Sequence, residues 1–208
     1  VVRDAGMAGI LTVAVAAGEG RLQVEVIAPG GPAPHTRARV ETIAADGRRG
    51  HPQLGSCGDG CLAGPWPAPA GLSSVRVDAS APGWRGGTFT ATVSWPPAPA
   101  DPALLARVAD TMRGEPSVEM TERTSSGPDS RADPATFTGT GAELMDNAPY
   151  AAGVAQDVRP LSGGDGLSLY LSGDRIWATL QLDDRGRLAS EHIIDVGHLI
   201  DRTFAYPG

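Results

Sequence analysis

The sequence has no lysine, only two cysteines and few aromatic residues (5%), and all 17 of its basic residues are arginines. The formal net charge is −7, so we do not expect a nucleic acid partner, because phosphate binding depends on clustered positive charge. The longest uncharged apolar run, residues 5–18, is shorter than the roughly 20 residues that a membrane-spanning helix needs. The negative net charge therefore argues against a nucleic-acid-binding protein, and the short apolar run argues against a membrane-spanning helix within this sequence.

The apolar run at residues 5–18 has two interpretations. Alternation over residues 10–16 is typical of a half-buried strand, which we favour. A signal-peptide core is the alternative, because Arg3 precedes the run and small residues follow it. The chain begins at Val1 without an initiator methionine, so we expect it to be a piece of a longer protein.

Glycine and proline are abundant, with 28 and 18 residues, which indicates many turns and short strands. Four of the prolines fall within residues 96–102. A segment with so many prolines can continue neither a strand ladder nor a helix, so we predict a linker there. The predicted domains are residues 1–95 and 103–208, each of a size that can fold alone.

The first half shows period-2 alternation and no helical period. Candidate strands are residues 10–16, 22–26, 37–44, 74–79 and 88–95, with turn pairs such as Glu19-Gly20 and Asp46-Gly47 between them. Five or more short strands of this kind predict a β-sandwich.

Both cysteines lie in this half, in Cys57-Gly58-Asp59-Gly60-Cys61. The two glycines allow the spacer to fold tightly, and an isolated pair of cysteines favours a disulfide in an oxidising compartment. The alternative is a thiolate pair for Cu(I) or Zn(II), joined by His51, since soft ligands select such ions. The spacing is not that of a zinc knuckle, so we favour the disulfide.

The Cys-Gly-x-Gly-Cys loop, followed by Pro69-Ala70-Gly71 before a strand, resembles the immunoglobulin-like extracytoplasmic domains of the copper-resistance and YtkA/FixH-like group. In actinobacteria such domains are often attached to membrane proteins of the copper-resistance D type. The resemblance implies an immunoglobulin-like sandwich outside the cytoplasm, with copper as a ligand. The N-terminal histidine of the copper-binding members has no counterpart here, which leaves His35 and His51 as candidate metal ligands.

The second half begins with a helix pattern. Asp101 is suited to the N-cap, Pro102 to the first turn and Gly114 to the far end, with an apolar stripe between them. We predict a mobile loop over residues 125–134 and a hairpin loop at residues 162–166.

From residue 167 the sequence predicts an antiparallel meander. The strands are residues 167–171, 176–182, 187–194 and 199–206, with turns at residues 172–174, 183–186 and 195–198. A turn centred on residues 196–197 places His192 opposite Asp201 and Glu191 opposite Arg202, which pairs opposite charges.

This register also bears on two apparent motifs. The spacing of His192, Asp195 and His198 resembles that of metal ligands. In a hairpin, however, Asp195 and His198 lie at the turn while His192 lies further along a strand, so the three cannot bind one ion. We therefore expect His198 to form a hydrogen bond with the turn backbone. Ser190, Glu191 and His192 alternate between faces and cannot form a catalytic triad. Neither a nucleophile elbow nor a phosphate-binding glycine loop is present, so we predict a protein that is not an enzyme.

The leading helix, the long sheet and the closing segment with Gly197-His198-Leu199-Ile200 and Arg202-Thr203-Phe204 resemble the LppX/LprG and LolA-type lipoprotein carriers. The resemblance implies an α+β domain whose curved antiparallel sheet holds acyl chains against helices. The apolar residues that would line such a cavity are Leu169, Ile176, Trp177, Leu180, Ile194 and Phe204. The alternative, which we favour, is that they form an ordinary core.

The sequence thus predicts a mainly β protein, an immunoglobulin-like sandwich followed by an α+β domain. We expect a non-catalytic extracytoplasmic module, attached through a segment absent from this chain to a membrane protein of copper-transport type. Its partner would be the membrane-embedded domain of its own full-length protein, and its role would be ligand or partner recognition. The alternative is a lipid or hydrophobic-ligand carrier. Apart from copper, we expect no cofactor.

Overall fold

The computed structural model describes residues 1–127, 130, 132–150, 155, 157–171 and 175–207. The fold is mainly β, with antiparallel sheets and two helices in this part of the chain. Neither helix is long and apolar enough to cross a membrane. The chain divides into unit 1 (Val1–Pro97, Ser126–Ser130 and Val196–His198) and unit 2 (Ala98–Ser125, Arg131–Asp195 and Leu199–Gly208).

Unit 1 contains two antiparallel sheets. Its strands are β1 (Val2–Ala8), β2 (Leu11–Gly18), β3 (Arg21–Ala28), β4 (Gly31–Pro32), β5 (Arg37–Ile43), β6 (Arg49–Gly50), β7 (Gly55–Gly58), β8 (Cys61–Pro65), β9 (Gly71–Ala81) and β10 (Trp84–Trp95). The first sheet has the order β1-β2-β3-β8-β7, with β4 beside β3, and the second has the order β10-β9-β5-β6. Valines from both sheets, such as Val15, Val24, Val77 and Val93, share one apolar core. Burying each such side chain contributes roughly 1.5–3 kcal/mol.

The apolar run at residues 5–18 forms a hairpin and not one strand. Residues on β1 pair with β2 from Val2↔Ala17 to Ala8↔Leu11, and the chain turns at Gly9, whose φ is 68°. A Cβ at Gly9 would lie 2.4 Å from the Arg85 carbonyl oxygen, so only glycine fits this turn. The sequence analysis predicted the second of these strands and missed the first.

Unit 2 combines two helices with one seven-stranded antiparallel sheet. Its elements are α1 (Pro102–Arg113), β11 (Val118–Ser125), β12 (Ala135–Gly139), α2 (Gly141–Asp146), β13 (Asp157–Pro160), β14 (Gly166–Leu171), β15 (Ile176–Leu182), β16 (Leu188–Asp195) and β17 (His198–Ala205). The order is β12-β11-β17-β16-β15-β14-β13. The last strand in the chain therefore lies inside the sheet, between β11 and β16.

Helix α1 has the predicted ends. The Asp101 carboxylate accepts a hydrogen bond from the Ala103 backbone N–H (3.1 Å), Pro102 opens the first turn, and Gly114 follows the last. Val108 and Met112 are buried in the unit 2 core. Helix α2, which the sequence analysis missed, starts with a capping box: Thr140 accepts from the Glu143 backbone N–H (3.2 Å), and the Glu143 carboxylate accepts from that of Thr140 (2.8 Å).

The strands of the predicted meander are present, and the turn at residues 183–186 has the predicted geometry. Gly186 has a φ of 76°, and the Asp183 carboxylate accepts from the backbone N–H groups of Arg185 and Arg187 (2.9 Å each). The predicted loop at residues 162–166 joins β13 to β14. The predicted turn at residues 172–174, and residues 128, 129 and 131 of the predicted mobile loop, lie outside the described residues.

Candidate functional site

The hairpin of β7 and β8 carries the predicted disulfide. Cys57 and Cys61 are bonded, with a Cα–Cα distance of 5.0 Å, and Gly58 and Gly60 between them have φ values of 144° and 67°. The glycine spacer thus takes backbone conformations that other residues rarely adopt. With both sulfurs in the disulfide, neither is a thiolate ligand for copper or zinc.

The candidate metal ligands of unit 1 do not form a centre with those sulfurs. His35 and His51 are both exposed, His35 with a φ of 55° and His51 in the segment that follows β6. Across the described ranges, no group of three or more His, Cys, Asp or Glu side chains could hold a metal ion.

The hairpin of β16 and β17 carries two histidines, His192 in unit 2 and His198 in unit 1, and each has a side-chain partner. His192 Nδ1 lies 2.7 Å from the Asp201 carboxylate, as the predicted register requires. His198 Nδ1 bonds the Ser126 hydroxyl (2.8 Å), and not turn backbone as the sequence analysis expected. The apparent metal motif at His192, Asp195 and His198 therefore lies on an ordinary hairpin.

A groove of about 290 Å³ lies beside α1 in unit 2. Leu105, Ala109 and Arg113 follow one another at intervals of four residues, which places them on one face of the helix. Pro102 and Ala106 of the same helix also line the groove, and the other lining residues come from elsewhere in this unit: Met145, Tyr150, Ala155 and Val158. Apolar side chains predominate, and Arg113 is the single charged residue among them.

Helix α1 divides its apolar surface between the core and this groove. Val108 and Met112 are almost fully buried, whereas Leu105 and Ala109 are half-buried and pack against the edge of the same core. The helix thus has a wider apolar surface than its core contacts alone require. This surplus forms one wall of the groove.

The Tyr150 side chain joins the groove to a buried polar network. Its hydroxyl donates to the Glu191 carboxylate, which is only 3% exposed. The Arg202 guanidinium donates to the same carboxylate through Nη1 (3.2 Å) and to that of Glu122 through Nε (2.8 Å). The buried Glu191 carboxylate therefore has the Arg202 guanidinium and the Tyr150 hydroxyl as partners, and it lies directly behind the groove wall.

Burial sets the protonation behaviour of this network. It raises the pKa of Glu191, although the Tyr150 hydroxyl and the Arg202 charge act in the opposite direction. Burial and the neighbouring carboxylate raise the pKa of Tyr150 well above its usual value. Burial opposes the charge on Arg202 too, but its two carboxylate neighbours outweigh this effect and raise its pKa. Tyr150 is therefore a neutral donor and Arg202 a permanent cation.

A second polar cluster fixes the end of β17. The Tyr206 hydroxyl donates to the Leu188 carbonyl oxygen (2.6 Å), and the Arg187 guanidinium lies 3.8 Å from the centre of the Tyr206 ring. Arg187 also pairs with Asp183 (2.7 Å). Burial raises the pKa of Tyr206. These contacts hold side chains in place and leave no activated nucleophile in the cluster.

The six apolar residues proposed as a ligand lining do not share one surface. Leu169, Ile176 and Leu180 belong to the buried core of unit 2, and Phe204 is half-buried against it. Trp177 and Ile194 are paired across β15 and β16 and, by strand alternation, lie on the other face of the sheet. None of the six lines the groove beside α1.

No known family, curated protein or solved structure matches this chain.

Sequence reasoning missed the groove and the network behind it. The signal for the groove was present in α1, where Leu105, Ala109 and Arg113 form a stripe beside the core stripe. The network carried no such signal, because Tyr150 and Glu191 are separated by 41 positions. The predicted pairing of Glu191 with Arg202 is confirmed, whereas the deep burial of Glu191 was not anticipated.

Proposed function

We propose that this chain is a non-catalytic binding module and that unit 2 holds a small hydrophobic ligand in the groove beside α1. The observation that carries the proposal is the groove itself, with its apolar lining and one arginine. Ligand sites in proteins are typically concave, mostly apolar and provided with a few polar groups that fix orientation. The groove has this composition.

The volume of the groove favours a short ligand. Typical ligand pockets enclose about 300–1,000 Å³, and this groove measures about 290 Å³. It suits one short acyl chain better than a complete two-chain lipid. The proposal therefore narrows the lipid-carrier hypothesis to a single-chain amphiphile.

Arg113 supplies the polar recognition in this proposal. Its guanidinium lies 3.8 Å from Asp110 and 3.6 Å from Asp146, distances longer than those of hydrogen bonds. Its N–H donors are thus available to a carboxylate, which a guanidinium binds with two parallel hydrogen bonds. A medium-chain fatty acid can place its carboxylate at Arg113 and its alkyl chain against the apolar lining of the groove.

The absence of catalysis in this proposal is supported by how the polar groups are used. Glu191, the buried carboxylate nearest the groove, is engaged by Tyr150 and Arg202. His192 is engaged by Asp201 in the closing hairpin. A general base needs a free lone pair within reach of a substrate proton. Neither Glu191 nor His192 lines the groove, so neither is within reach of a ligand bound there.

The finer architecture is part of the same proposal. We propose that unit 1 is an immunoglobulin-like sandwich and that unit 2 is a short relative of the LolA-type sheet domains. Two antiparallel sheets around one core support the first assignment, and helices beside a long antiparallel sheet support the second. The disulfide supports an extracytoplasmic location. Attachment to a membrane protein of copper-transport type stays a prediction of the family resemblance.

Decanoate titration, followed by ¹H–¹⁵N NMR, tests the proposed ligand. We expect saturable shifts for α1 and β13, and weaker binding of uncharged decanol. Ala106→Trp should weaken decanoate binding at least tenfold, because Ala106 is an exposed residue that lines the groove. Ala103→Trp is the matched control, since Ala103 is exposed on the same helix outside the lining.

The Arg113→Gln variant distinguishes the contribution of the ligand carboxylate to binding from that of the alkyl chain. It should weaken decanoate binding and leave decanol binding unchanged, because only the acid uses the guanidinium. Absence of saturable shifts with millimolar decanoate would refute the proposal, as would equal binding by the Ala106→Trp variant and the wild type.

Native mass spectrometry before and after addition of copper tests the copper prediction separately. Stoichiometric copper that survives desalting would support it. A copper-free mass with the disulfide intact would direct attention to protein partners.

A further inference from the structure

A second cavity, of about 360 Å³, lies in unit 1 and plays no part in the proposed function above. It is formed by the segment after β5, the proline-rich segment after β8, and β9. The residues that carry the argument are Arg48, Arg49, Trp66, Pro67 and Ser73. This volume falls within the range of small-molecule sites.

Ser73 gives this cavity a polar group without a protein partner. The residue lines the cavity and is 3% exposed, and its buried hydroxyl has no hydrogen bond partner. Buried polar groups in folded proteins are almost always hydrogen-bonded, because desolvation without a partner costs free energy. A ligand oxygen at the inner end of the cavity would supply that partner after rotation about a single side-chain bond.

One part of the cavity wall is rigid and apolar, whereas Thr42 and His51 contribute polar groups elsewhere. Trp66 is 7% exposed and thus fixed in position, and Pro65, Pro67 and Pro69 lie beside it along the chain. Proline rings carry no backbone N–H and hold their own conformation. A planar ring can pack against an indole face in an offset or edge-to-face arrangement. The walls therefore favour an aromatic ligand.

Two arginines that line the cavity, Arg48 and Arg49, form its rim. Arg48 and Arg49 are largely exposed, and each has one carboxylate neighbour, Asp46 (2.6 Å) and Glu41 (2.8 Å) respectively. A guanidinium has five N–H donors, so each arginine keeps donors after this pairing. Neither Asp46 nor Glu41 belongs to the lining. The rim is therefore complementary to an anion.

We propose that unit 1 binds a small aromatic carboxylate with a hydrogen-bonding oxygen at the far end of its ring. The ring packs against Trp66 and the prolines, and the carboxylate lies at Arg48 and Arg49. The Ser73 hydroxyl donates to the inner oxygen. The ligand class follows from three separate features: an unpartnered inner hydroxyl, a wall with an indole and proline rings, and a rim with guanidinium N–H donors.

Titration with 4-hydroxybenzoate, followed by the four tryptophan indole N–H signals in ¹H–¹⁵N NMR, tests this proposal. We expect a saturable shift of the Trp66 signal, assigned with Trp66→Phe. Benzoate lacks the inner oxygen and 4-hydroxybenzamide lacks the charge, so each should bind several-fold more weakly. A specific site of about millimolar affinity is close to saturation at about 10 mM ligand. Absence of a saturable Trp66 shift up to that concentration would overturn the proposal.

Two variants assign the contacts. Ser73→Ala should weaken 4-hydroxybenzoate binding several-fold and leave benzoate binding unchanged, and the fold should tolerate it because the hydroxyl has no partner to lose. Arg49→Gln should weaken both acids. Arg39→Gln is the matched control, since Arg39 is exposed on β5 outside the lining. Equal binding by Ser73→Ala and the wild type would contradict the inferred inner contact.

Discussion

Replacement of Arg202 by methionine should destabilise unit 2, and the loss should depend on pH. The substitution leaves the Glu191 carboxylate, 3% exposed, without its cation. Removing one partner of a buried ion pair typically costs about 3–5 kcal/mol. We expect the lower end, because the Tyr150 hydroxyl still donates to Glu191 and because Glu122 is partly exposed.

Protonation of Glu191 limits this loss. Keeping a carboxyl protonated costs about 1.4 kcal/mol for each pH unit above its unfolded pKa, for which the ordinary value is 4.5. The loss of stability that an ionised, unpaired Glu191 can cause is thus limited to about 3.4 kcal/mol at pH 7 and about 0.7 kcal/mol at pH 5. Because the folded pKa is raised, stability is highest below the unfolded pKa and falls as pH rises towards the folded pKa. The variant should therefore lose about 3 kcal/mol at pH 7 and no more than about 0.7 kcal/mol at pH 5.

The measurement is urea denaturation at both pH values, with 5-fluorotryptophan as the probe. Trp177 is the one tryptophan after residue 95, so its ¹⁹F signal reports on unit 2. Glu191→Gln/Arg202→Met should remove the extra pH dependence, because no buried charge remains. Asp201→Asn, which breaks an exposed pair on the same hairpin, should cost less than about 1 kcal/mol. A loss that is equal at pH 5 and pH 7 would refute the reasoning.

Two further changes test local features. Replacing Cys57 and Cys61 together by serine should lower the free energy of unfolding of unit 1 by about 2 kcal/mol, from loop entropy, in urea denaturation followed by the ¹⁹F signals of its tryptophans. An unchanged midpoint would contradict this estimate. Thr140→Ala should lower the free energy of unfolding of unit 2 by about 1 kcal/mol because it removes the N-cap of α2, whereas Thr140→Ser should retain that cap. Equal losses of stability in the two variants would show that the hydroxyl does not provide the capping energy.

The fold was most predictable where turns are short and local. Asp183 and Gly186 define a turn through contacts within a few residues, and the closing hairpin follows from pairing Glu191 with Arg202. Such signals are contained in adjacent residues, so periodicity and turn chemistry are sufficient to place them. The predicted disulfide is confirmed for the same reason, since its two residues are four positions apart.

The parts that escaped prediction depend on distant residues. Strand β1 is rich in small residues and is defined by its pairing with β2 rather than by its own pattern. Gly141, at the start of α2, approaches α1 so closely that a Cβ would lie 1.7 Å from the Met112 carbonyl oxygen. Contacts of this kind arise only after tertiary packing. The groove beside α1 and the buried Glu191 belong to the same class.

The position of β17 inside the seven-stranded sheet has a consequence for biosynthesis. Strands β11 and β12 are made early but join the rest of the sheet only through β17, which is made after every other strand of that sheet. During translation they must wait with an unpaired edge, which is exposed to wrong pairing. Strands β13 to β16 pair in chain order, but β11 and β12 can join them only once His198–Ala205 has emerged.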